Sequence, residues 1–161
     1  MAKYVLNTSE KDFDFALLGI VCMENQYVML SLINNALKIN LQLNAYVPFS
    51  LKDNNLFKFS LYHFSDEELG LEYFMVSNTS NFEEPNINTS VSEGLFSGLD
   101  IDESVKLVKE LPKTDYFLIV KGEDLHYYQF KVMEKLKTIP EIIQVQTIEA
   151  SDLPSRRNLI F

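Results

Sequence analysis

Two stretches of this chain, FALLGIVC at residues 15–22 and YFLIV at residues 116–120, are apolar at nearly every position. A strand with one wet face alternates apolar and polar residues, so unbroken runs of this length read as strands buried on both faces. Each run follows an aspartate, Asp14 in one case and Asp115 in the other. Each is also followed by a segment with helical spacing, so the chain opens and closes with a strand–helix–strand unit.

The first helical segment is residues 26–38. Ser31, Asn34, Asn35 and Lys38 form one polar stripe at i, i+3, i+4 and i+7, and Val28, Met29, Leu32, Ile33, Ala36 and Leu37 cover the rest. Asn25 precedes it as an N-cap, because its side-chain oxygen can accept an orphan backbone N–H. The second is residues 124–137, with Leu125, Tyr128, Val132 and Leu136 inward and Lys131, Glu134 and Lys135 outward.

Between the two units, residues 45–50 read as a short strand stopped at Pro48 or as an edge strand. LFKFSLYHF at 56–64 alternates, with Phe57, Phe59, Leu61 and His63 on one face and Lys58, Ser60 and Tyr62 on the other. SDEELG turns the chain and LEYFMVSN returns it, which makes 56–77 a hairpin. Residues 78–101 are rich in Asn, Ser, Thr and Gly and read as a long polar loop, with a short helix expected over Ile101–Glu110. EIIQVQTI at 141–148 is a last strand with one polar face, and 152–161 is a tail. The expectation is one α+β domain over 1–161, a two-layer sandwich with two principal helices on one face of a mainly antiparallel sheet.

Charge narrows the function. Fourteen basic against 23 acidic residues give a net charge of −9, which argues against direct nucleic-acid binding through a broad basic surface. It equally disfavours docking on anionic lipid. The start, MAKYVLNTSEKDFDF, carries no apolar signal-peptide core. The run Phe15–Met23 is far short of the ~20 residues of a membrane helix. A cytoplasmic protein with no membrane association is expected. One cysteine, Cys22, excludes an internal disulfide. The Asn-Thr-Ser triplets at Asn7, Asn78 and Asn88 then read as ordinary polar loop residues.

Motifs for chemistry are nearly lacking. Five glycines leave no phosphate loop, and two histidines, His63 and His126, cannot build a multi-histidine metal site. No cofactor and no metal is expected. His63, beside Asp66, Glu67 and Glu68, could serve as a base, although its place with Phe57, Phe59 and Leu61 fits a core or rim residue better. Cys22 at a strand end fits a small hydrophobe better than a reactive thiolate. The chain's two arginines, Arg156 and Arg157, open the tail RRNLIF. Arginine forks suit carboxylates and phosphates, and Phe161 could fill an apolar groove. A tail docked on its own domain as a last strand is the plainer reading. Tyr62, His63, Asp115, Tyr116, Arg156, Arg157 and Phe161 are the binding candidates.

With these pieces in order, DFDFALLGI, NNALKINL, FSLYHF, LEYFMVSN, DYFLIVKG and RRNLIF, the chain resembles the IPExxxDY family of small bacterial proteins. The Asp-Tyr of that signature stands at Asp115-Tyr116. Lys109, Glu110 and Leu111 occupy its Ile-Pro-Glu positions, and Ile139-Pro140-Glu141 lies on the far side of the pair. The resemblance implies no activity, substrate or cofactor. It does imply gene neighbours concerned with ribonuclease III and acyl-chain synthesis, hence a partner in RNA or lipid metabolism.

The expected function is a non-catalytic protein–protein interaction or self-associating domain, with a second copy of the chain as one candidate partner. An enzyme with an acid/base site around His63, Asp66 and Asp115 is the alternative from another class. An accessory factor of an RNA-processing or ribosomal assembly, reached through its protein components, is the third.

Overall fold

The computed structural model describes residues 14–50, 56–80 and 104–161. Among them the chain runs β1 (Ala16–Cys22), α1 (Gln26–Leu37), β2 (Gln42–Ser50), β3 (Leu56–Asp66), β4 (Leu71–Ser77), β5 (Thr79–Ser80), β6 (Val105–Lys106), β7 (Tyr116–Lys121), α2 (Leu125–Leu136) and β8 (Ile142–Ile148). Two 3-10 turns, Ala150–Asp152 and Arg156–Leu159, follow.

The two apolar runs lie side by side at the inner positions of a six-stranded sheet ordered β2-β3-β4-β7-β1-β8. β1 pairs with β7 so that Ala16 faces Val120 and Ile20 faces Tyr116, and every neighbouring pair is antiparallel. The α+β architecture with a mainly antiparallel sheet is therefore as the residue pattern implies. Alternate residues of each strand feed two separate cores. Leu18, Ile20, Tyr73, Met75, Leu118 and Val120 meet Met29 and Ile33 of α1 and Val132 and Leu136 of α2. Leu17, Phe57, Phe59, Phe74, Val76, Phe117 and Ile119 point the other way.

Among the described residues no principal helix lies on that second face, yet it is covered. Val105, Leu107 and Val108 close over it from one side, and Ala150, Leu153 and Leu159 from the other. Continuous apolar strands need cover on both faces, and here irregular chain supplies half of it. A helix over Ile101–Glu110 does not form in its described part: Val105–Lys106 pairs with Thr79–Ser80 instead, and turns follow to Thr114. Residues 81–103, which hold most of the expected polar loop, lie outside the described residues, as do Asn7 and Asn88.

Local chemistry sets the element ends. Asn25 Oδ1 accepts the N–H groups of Tyr27 and Val28 at 3.0 and 3.1 Å, which caps α1. The helix stops at Lys38, which is left-handed with φ 59°. Asn34 then fixes the exit, donating Nδ2 to the Leu41 carbonyl and accepting the Leu41 N–H at 2.8 Å. β2 runs through Pro48 as an edge strand, where a missing N–H leaves no ladder bond unmade on the open side. Between β7 and α2, Gly122 has φ 144°, and a Cβ there would stand 2.7 Å from the Gly70 carbonyl oxygen, so only glycine fits.

Candidate functional site

β7 begins where β1 ends, and Asp115 joins them. Its Oδ2 accepts the Cys22 N–H at 2.9 Å, its own N–H donates to the Ile20 carbonyl at 2.9 Å, and its carbonyl accepts the Asn78 N–H at 2.8 Å. Tyr116 follows, and its hydroxyl donates to the Glu24 carbonyl at 2.8 Å, across the approach to α1. The Asp-Tyr pair thus holds the strand end and the helix start in one place.

The space beside that junction is an open cleft of about 470 Å³, within the size range of ligand sites. Tyr116 lines its inner wall. The first turn of α1 contributes Asn25, Gln26 and Tyr27, and Tyr46 stands on β2. Ser60 and Lys58 come from β3, and Ser77, Thr79 and Ser80 from β4 and β5. Among the described residues the chemistry of this lining is amide, hydroxyl and phenol, with Lys58 its one charged side chain. Tyr27 and Tyr46 are 70% and 55% exposed, so two phenol rings offer their faces to solvent.

The buried phenols at the cleft keep their protons. Burial pushes the Tyr116 phenol well above its usual range, and the neighbouring Cys22 and Asp115 push the same way. Tyr62, buried beneath the cleft, is raised by burial and then by Tyr27, while a bond from Ser60 opposes. A buried phenol resists becoming phenolate because the charge would leave water. Cys22 is similarly raised by burial, against the lowering effect of the Glu24 backbone. Its thiol sits 3.7 Å from the Glu24 carbonyl, so it packs as a small hydrophobe and does not present a thiolate.

The seven residues marked in the sequence fall into three places. Tyr62, Asp115 and Tyr116 belong to the cleft and its support. His63 and Phe161 meet elsewhere, on the second face, through Phe74. The His63 ring stacks on Phe74 at 4.6 Å and 29°, and Phe161 lies 6.3 Å from the same ring. Lys121 Nζ sits 4.9 Å over it and donates to the Phe161 carbonyl at 2.7 Å. Arg156 and Arg157 lie at a shallow hollow with Ser151, where Arg156 Nη1 donates to the Ser151 carbonyl at 2.7 Å. The tail docks on its own domain, as 3-10 turns and not as a strand.

The acid/base constellation is not brought together. Asp66 Oδ1 accepts the Glu68 and Leu69 N–H groups and closes the hairpin turn. Asp115 is committed to Cys22 at the β1–β7 junction. Among the described residues His63 Nε2 has Glu72 near it, at 3.5 Å, and makes no hydrogen bond there although it is buried. Among the described residues no group of three or more His, Cys, Asp or Glu is placed to hold a metal ion. No helix there is long and apolar enough to cross a membrane.

Asn25, Tyr27, Tyr46 and the serines of the cleft escape a reading of the sequence, because the site exists only once β2, β3, β4 and β7 are neighbours. The one local signal is Tyr27, which sits in the first turn of a capped helix, away from the buried Met29 and Ile33. No family model, no curated protein and no solved structure matches this chain.

Proposed function

We propose that this chain is a non-catalytic protein–protein interaction domain, and that its cleft receives an extended segment of the partner. The observation that carries the reading is the lining itself. The Gln26 amide and the phenols of Tyr27 and Tyr46 can pair with the N–H and C=O groups of a peptide, and both tyrosines are exposed at the cleft. Tyrosine gives large contact area at low entropic cost and is enriched at interfaces. Phenols held neutral, with no proton-transfer pair beside them among the described residues, suit recognition better than turnover. The setting we propose is the reducing cytoplasm of a bacterial cell, where a lone buried Cys22 stays a thiol. On the segments DFDFALLGI to RRNLIF we also propose kinship with the IPExxxDY proteins.

The test is selection of a displayed random-peptide library on the purified chain, with Tyr27→Ala/Tyr46→Ala as the comparison. Enriched peptides should bind the wild type and lose about tenfold or more in affinity on the double variant, as interface aromatics do. Failure to enrich any peptide, or equal binding by the variant, would overturn the proposal.

A further inference from the structure

β8 is an edge strand: among the described residues it pairs on one side with β1, and none pairs with its other side. Natural sheets blunt such edges with proline, charge or bulges, because unpaired N–H and C=O groups template further pairing. The opposite edge is blunted. β2 carries Pro48 and a register shift between Leu43 and Ala45. β8 has neither charge nor proline over its length, IIQVQTI. It has one bulge, at its start, where Cys22 faces Ile142 and Val21 faces Gln144, leaving Ile143 extra and exposed. The regular edge is therefore Gln144–Ile148.

We infer that this edge pairs with the same edge of a second copy of the chain, antiparallel about a two-fold axis at Gln146, joining the two sheets into one. The inference concerns a surface separate from the cleft and does not rest on the cleft's occupant.

Two features select a second copy. An antiparallel edge is complementary to itself under a two-fold rotation, the commonest symmetry of soluble oligomers. Pairing about Gln146 sets Val145 against Thr147 and Gln144 against Ile148, so partners share a face and both helix layers fall on one side. Val145 already packs toward the helices and Ile148 toward the other core, as this parity needs. The repulsion between two chains of charge −9 is least at this edge, because Gln144–Ile148, the residues that pair, carry no charge.

Sedimentation equilibrium of the full chain tests this. The apparent mass should climb from 18.6 kDa toward twice that value as concentration rises. Gln146→Lys and Gln146→Glu each place like charges face to face, and each should weaken association by about fivefold, a cross-strand effect of order 1 kcal/mol. An equimolar mixture of the two should associate at least as well as the wild type. Thr147→Lys, at an exposed position, is the second variant should the Gln146 changes disturb folding, which circular dichroism would show. Tyr27→Ala/Tyr46→Ala should leave the association intact, which separates this interface from the cleft. A wild type that stays at 18.6 kDa at the highest soluble concentration overturns the inference. So does a dimer that folded β8 variants leave unchanged, or charge variants that fail to recover on mixing.

Discussion

Asn78 Oδ1 accepts the N–H of Val108 at 2.8 Å, from a position 30 residues earlier in the chain. The same side chain donates its Nδ2 to the carbonyls of Leu111 and Thr114, each at 2.9 Å. Its backbone bonds to Asp115 and Leu107. Asn78 is fully buried, so one amide organises the whole turn from Leu107 to Thr114 that closes the second core.

That role predicts a large effect from a small change. Asn78→Ala removes the partner of the Val108 N–H and of the Thr114 carbonyl, each costing about 1–3 kcal/mol when left unpaired. We expect a loss of about 3 kcal/mol or more, read as a fall in the urea midpoint. Asn78→Asp should be nearly as damaging, because its oxygen would face the Leu111 and Thr114 carbonyls where a donor stood. A variant within about 0.5 kcal/mol of the wild type, the range of ordinary surface changes, would show that the turn is held by something else.

Alkaline pH should unfold the protein earlier than its net charge alone suggests. Tyr62, Tyr73 and Tyr116 are all raised above the ordinary 10.0, and Cys22 above 9.0, each chiefly by burial. The charged form of each group is the deprotonated one, so above these values the unfolded chain gives up protons that the folded chain keeps. Stability is then full below pH 9, begins to fall as Cys22 enters, and falls faster beyond pH 10 as the phenols follow. Thermal midpoints across that range check the slope. Tyr116→Phe should flatten it while costing about 1 kcal/mol at neutral pH for the lost bond to Glu24.

Leu159 is completely buried in the second core, so the tail is structural and not a detachable arm. Leu159→Ala should cost about 2–5 kcal/mol, measured by denaturant unfolding. Removal of residues 155–161 should destabilise the domain at least as much, since it also strips Phe161 from Phe74 and Lys121. Arg157→Ala, at an exposed position, should fall within about 0.5 kcal/mol of the wild type.

The elements were legible where local chemistry decides them. The polar stripe of α1, the Asn25 cap, the alternation of Phe57, Phe59 and Leu61 and the inward set of α2 all follow from period and capping. What failed was non-local. Ile101–Glu110 has helical composition, yet its described part is turned by Asn78 and paired with Thr79–Ser80, and neither contact is visible nearby in the sequence. Asn78 itself reads as a loop residue until its partners are known. The binding candidates scattered for the same reason. His63, Asp66 and Asp115 are near one another only if the sheet order brings them so, and Asp115 instead meets Cys22. Tyr62 and Tyr116 came out beside a cleft whose other walls no local pattern marks.

The pairing of β1 with β7 also sets a schedule for folding. The Cys22–Asp115 bond at that junction spans 93 residues, so β1, made long before β7, can be secured only after β7 is made. During synthesis β2 and β3 have their partners early, while β4 and FALLGIVC each keep an open side until YFLIV leaves the ribosome. Such distant closure slows folding, and an exposed, uncharged, β-prone octet is the kind of segment that aggregates meanwhile. A nascent chain stalled before Asp115 would therefore be a client for chaperones, whatever the finished domain binds.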